Sequence, residues 1–118
     1  MRKYTDVGEQ RFHRYGIEKV VTIKYSDKVR QELNPEKIIL FGSYVNGVPH
    51  EWSDVDIAVL VSDLRGEDWY NARILLQNIR WREDIFTDIE PHLLDENHDP
   101  SGFVQHVIKT GEVVYQSA

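Results

Sequence analysis

Two short apolar runs, Lys37–Phe41 and Val55–Val61, constrain this chain more than any other feature of its sequence. Each is rich in β-branched residues, ends or begins at a polarity break, and reads as a buried strand. Between them stand Gly42, Gly47 and Pro49, which demand a tight turn and limit any intervening helix to a short piece. The chain must therefore leave one strand, turn, and return on its neighbour. Acidic residues interrupt the second run only at its start, Asp54 and Asp56, where a strand emerges from the core.

The remaining pattern supplies what covers such a pair. Residues 16–33 carry Ile17, Val20, Val21, Val29 and Leu33 at roughly helical spacing, and Asn34-Pro35 stops them. In residues 67–82, Trp69, Ala72, Leu75, Leu76 and Ile79 mark one face of a second helix. Residues 85–90 alternate in type and predict a third strand, closed by Pro91. After a polar loop, Phe103, Val104, Val107 and Ile108 form a last short helix that Gly111 ends, and residues 113–115 offer a terminal strand. Residues 1–14 are polar and read as a loose arm. The order predicts an α+β fold, a sheet flanked by helices, and 118 residues fit one domain over 1–118.

Composition excludes several classes of function. There is no cysteine, hence no disulfide scaffold or cysteine zinc site. No apolar run approaches the ~20 residues of a membrane helix, and the first residues lack the apolar stretch of a signal peptide, so a cytoplasmic location is expected. A net charge of -6 disfavours nucleic-acid binding by this chain alone, which would need clustered Lys and Arg against phosphates. The nearest basic cluster, Arg73, Arg80 and Arg82, is interleaved with Glu67, Asp68, Glu83 and Asp84, the pattern of a solvated helix face.

Taken alone, Asp54-x-Asp56 has little weight, since roughly 0.8 such pairs arise by chance in so acidic a chain. Its position gives it meaning. Residues i and i+2 of a strand point to one face, so the two carboxylates converge and repel unless a cation lies between them. Mg²⁺ suits hard oxygen ligands and is commonly held by one or two carboxylates with substrate phosphates, which implicates a nucleoside triphosphate. Gly42-Ser43, at the end of the preceding strand, lets backbone approach a phosphate and offers a hydroxyl and N–H groups to it. A third acid is expected, to complete the metal site or to deprotonate an incoming nucleophile. Glu90 and Asp88 both qualify, alternating on one face of the third strand, and Glu90 at the strand's end is favoured.

These residues carry a resemblance. Residues 41–47, Phe-Gly-Ser-Tyr-Val-Asn-Gly, followed by residues 52–59, Trp-Ser-Asp-Val-Asp-Ile-Ala-Val, closely resemble the minimal nucleotidyltransferases of the DNA polymerase beta superfamily, and residues 87–92 look like that family's third motif. The resemblance implies a polymerase-beta-like fold with a mixed β-sheet. It implies that Gly42, Ser43 and Ser53 hold the triphosphate of ATP, and that Asp54, Asp56 and Glu90 bind two Mg²⁺ ions. Val45 and Asn46 stand where the family often has a small residue and then a basic one, and its third carboxylate is more often Asp. Such proteins resemble the antitoxin halves of toxin-antitoxin modules whose partner is an all-helical HEPN ribonuclease, some of which are adenylylated by it. The implied activity is transfer of a nucleotide monophosphate, AMP from ATP, to a hydroxyl on a partner protein. The alternatives are an inactive module of this fold that binds and neutralises a helical partner, and a metal-dependent phosphohydrolase, which has no need of the Gly-Ser turn.

Other features carry less. His13, His50, His98 and His106 read as surface or loop groups without metal-ligand spacing. His92 follows the third strand and is placed to face the site as a polar neighbour, with simple packing as its other reading. Trp52, Trp69 and Trp81 read as core or interface anchors, because no basic groove accompanies them. Neither a Walker A lysine motif nor G-x-G-x-x-G is present.

Overall fold

A computed structural model of the chain describes residues 7–42, 55–82 and 89–117, with side chains from residue 20 onward. The elements run α1 (Val7–Glu32), β1 (Lys37–Phe41), β2 (Val55–Val61), α2 (Glu67–Arg82), β3 (Ile89–Asp95), α3 (Phe103–Thr110) and β4 (Glu112–Gln116). The four described strands form one sheet in the order β3-β2-β1-β4. β1 is antiparallel to both β2 and β4, whereas β2 and β3 are parallel, with α2 in the crossover between them. The α+β fold expected from the pattern and the mixed sheet implied by the resemblance are therefore present.

Strand alternation sends the sheet's apolar residues to two faces. One face carries Ile38, Leu40, Val55, Ile57, Val59, Val61 and Ile89, packed under Tyr25 and Val29 of α1 and Leu76 and Ile79 of α2. The other carries Ile39, Ala58 and Leu60 under Val104 and Val107 of α3. With both faces covered, β1 and β2 have to be apolar throughout, which is why they read as continuous runs rather than alternating ones. Tyr25 fastens α1 to α2: its fully buried hydroxyl donates to the Leu76 carbonyl oxygen at 2.6 Å. Burial pushes this phenol well above its ordinary value of 10.0, against a smaller opposing pull from Arg80.

Four expectations need correction. The first helix begins at Val7, inside the segment read as a loose arm; Glu9, Gln10, Arg11 and Arg14 are adequate helix formers, and propensity extends α1 past the apolar pattern. Val20, assigned to the helix's apolar face, is 68% exposed, and the buried stripe instead runs through Thr22, Tyr25, Ser26 and Val29. The third strand continues through Pro91 to Asp95 instead of stopping there. That is tolerated because β3 lies at the edge of the described sheet, where a missing N–H leaves no inner ladder bond unmade. Trp81 is 77% exposed, so of its two readings, core or interface anchor, the core one falls, while Trp69 is partly buried against the core. The second helix, by contrast, spans the residues the pattern predicts, and Asn34 with φ 58° ends α1 just before Pro35 as the stop signal requires. No described helix is long and apolar enough to cross a membrane.

Candidate active site

The face that α3 covers at Ile39, Ala58 and Leu60 changes character along the strands. Two residues before Ala58 on β2 comes Asp56, and on β3 the same alternation that places Leu94 on this face places His92 and Glu90 there too. Register joins them: Asp56 lies opposite Glu90 and Ala58 opposite His92 across the parallel pair. A ligating atom from each of Asp56, Glu90 and His92 lies within 4.8 Å of the others. Two carboxylates gathered so closely, with an imidazole beside them, can hold a divalent cation, and the hard oxygens of Asp56 and Glu90 fit Mg²⁺.

Gly42 forms the third wall. Phe41 pairs with Asp56 across the antiparallel ladder, so the residue after it comes up against the Asp56 carboxylate. The backbone at Gly42 has φ +87°, which favours glycine, and a Cβ there would stand 2.5 Å from Asp56 Oδ2 and displace that carboxylate. On the other side of that carboxylate, His92 Nε2 donates to Asp56 Oδ1 at 3.2 Å. The hydrogen bond to Asp56 raises the pKa of His92 above its ordinary value, with the charges of Asp56 and Glu90 adding to it and partial burial opposing.

Of the residues expected at the site, the structure thus brings together Gly42, Asp56 and Glu90. Ser43, Ser53 and Asp54 fall in residues 43–54 and Asp88 in residues 83–88, all outside the described residues. Glu90 is the second residue of β3, not the end of a strand, and its closeness to Asp56 follows from the β2/β3 register. Sequence reasoning left the His92 contact open. The signal that could have found it is its i, i+2 relation to Glu90, legible once Pro91 is allowed inside the strand.

A family model described as polymerase beta, nucleotidyltransferase, matches residues 24–118. Among solved structures, the chain is similar to a candidate nucleotidyltransferase from Sulfolobus solfataricus, with TM-score 0.63 and 17% identity over 98% of this chain and 92% of that one. It is similar to a toxin-antitoxin crystallised with AMP-PNP, with TM-score 0.55 and 30% identity over 80% of this chain and 73% of that one. A third similar structure is a tri-AMPylated Shewanella oneidensis HEPN toxin in complex with MNT antitoxin, with TM-score 0.51 and 24% identity over 82% of this chain and 71% of that one. At 17% and 24% identity, the first and third establish the fold. No curated protein gives a significant match.

Proposed function

The chain belongs to the polymerase beta nucleotidyltransferase family, and from that premise we propose that it transfers AMP from ATP to a hydroxyl on a helical, HEPN-type partner protein, as the antitoxin of a pair. The observation that carries the proposal is the register of Asp56 with Glu90, which sets two carboxylates side by side at the end of the face that α3 covers. Support for the nucleotide and the partner comes from the 30%-identical relative, which is a toxin-antitoxin crystallised with an ATP analogue.

In this reading Asp56 and Glu90, with Asp54, hold two Mg²⁺ ions, and Gly42, Ser43 and Ser53 cradle the triphosphate. Bound Mg²⁺ would neutralise charge on the phosphates and on the leaving pyrophosphate. Glu90, the more exposed of the two described carboxylates, accepts the proton of the acceptor hydroxyl. The acceptor oxygen then bonds to the α-phosphorus as the bond to the bridging oxygen breaks, and pyrophosphate leaves. Glycine at position 42 keeps the phosphate side open to backbone contact.

The test incubates the purified chain with Mg²⁺, ATP labelled at the α-phosphate and a co-purified helical partner. Label and the mass of one adenylate should appear on the partner together with stoichiometric pyrophosphate, and Asp56→Asn or Glu90→Gln should lower the rate by at least about 100-fold, the scale on which loss of one charge-stabilising group acts. Neutralisation of the partner by the doubly substituted chain at wild-type potency would show that binding alone carries the biological effect.

A further inference from the structure

The proposed reading uses Asp56 and Glu90 but leaves unexplained a chain of aromatic contacts that reaches them from α3. Phe103, the first residue of α3 and 40% exposed, meets Phe41 of β1 edge to face, with centroids 5.9 Å apart at 76°. Phe41 in turn meets the His92 ring at 5.3 Å and 62°. His92 then reaches Asp56 Oδ1, while Asp56 Oδ2 lies toward Gly42, 2.5 Å from where a Cβ on that glycine would stand. Four elements, α3, β1, β3 and β2, are linked in series to one carboxylate.

The terminal torsion of an Asp side chain is soft and only broadly two-fold, so an unrestrained carboxylate gives up rotational freedom when a cation binds. A carboxylate has about four lone-pair sites, so one hydrogen bond fixes its plane and still leaves oxygens free to ligate. Groups that orient a ligating side chain in this way commonly control metal affinity, and their loss typically costs about 10- to 100-fold. We propose that His92 is a positioning residue which, held by Phe41 and Phe103, fixes the Asp56 carboxylate for divalent-cation binding. The inference rests on the reading of Asp56 and Glu90 as cation ligands. It makes an exposed residue of α3 a determinant of the site.

The test measures Mn²⁺ binding to the full chain from the loss of the free-ion EPR signal, for wild type, His92→Leu, His92→Gln and Phe103→Ala, with thermal midpoints recorded for each. His92→Leu should weaken binding about 10- to 100-fold, the range typical of lost orienting partners. His92→Gln, which retains an N–H donor, should recover most of that loss, and Phe103→Ala should weaken binding by a smaller factor, measured well below a midpoint that the lost contact with Phe41 lowers. Should His92→Leu fail to fold, Phe103→Ala decides, and Mn²⁺ binding by that variant as tight as wild type overturns the proposal. Unchanged affinity in His92→Leu, or His92→Gln as weak as His92→Leu, overturns the proposal. So does ¹⁴N coupling from imidazole in pulsed EPR of the bound Mn²⁺, which would make His92 a ligand. Absence of Mn²⁺ binding by the wild type would refute the cation-site reading itself, and this proposal with it.

Discussion

At Gly42 two independent constraints fall on one atom position. An added methyl would both strain a backbone at φ +87° and press on Asp56 Oδ2. Gly42→Ala should therefore cost more than about 1 kcal/mol of stability, beyond the ordinary penalty for alanine at positive φ, and should also displace the Asp56 carboxylate. Urea unfolding and Mn²⁺ titration of the same variant test the two effects together. Tyr25 makes a different kind of statement, about pH. Its phenol is neutral in both states below the unfolded value of 10.0, and above it only the unfolded chain ionises readily, because burial holds the folded pKa up. The sign is that stability is full below pH 10.0 and declines as pH rises above it. Tyr25→Phe should remove this alkaline slope in unfolding curves, while costing about 1 kcal/mol at neutral pH through the lost bond to Leu76.

At the scale of elements, α3 depends on a residue outside it. Gly102 at its N-cap has no side chain to offer, and the Asp99 carboxylate substitutes by accepting from Val104 N at 2.9 Å and Gln105 N at 3.1 Å. Asp99→Ala should cost about 1 kcal/mol, as loss of a cap does, and Asp99→Asn less, measured by urea unfolding. How far these elements were legible depended on whether their signal was local. In α2, Ala72, Leu76 and Ile79 recur at helical spacing and all are buried, so the pattern alone bounds the helix. β3 was misplaced because Pro91 reads as a terminator unless the strand is known to lie at an edge, and edge position is a property of the sheet rather than of the segment. The site divided along the same line. Gly42 and Asp56 could be picked out from neighbouring strands joined by a short link, but the pairing of Asp56 with Glu90 is set by register across a helical crossover, which no local pattern encodes. The His92 contact follows from that same register, so the sequence could place His92 beside the site but not name Asp56 as its partner.

Across the whole molecule, the sheet order places β1 between β2 and β4, so its second edge is covered only by residues near the end of the sequence, Lys37 pairing with Gln116 and Leu40 with Glu112. Deleting residues 112–118 should leave that edge open next to the fully buried Ile38, Ile39 and Leu40, and the truncated chain should self-associate in a concentration-dependent way on size-exclusion chromatography. β4 also follows α3 through Gly111 alone, and a Cβ there would strike the Ile39 side chain and the Val107 carbonyl. During synthesis, Gly42, Asp56, Glu90 and His92 all leave the ribosome before β4 does. A nascent chain that has exposed those four residues but not yet β4 holds the residues of its acidic cluster without the strand that covers the second edge of β1.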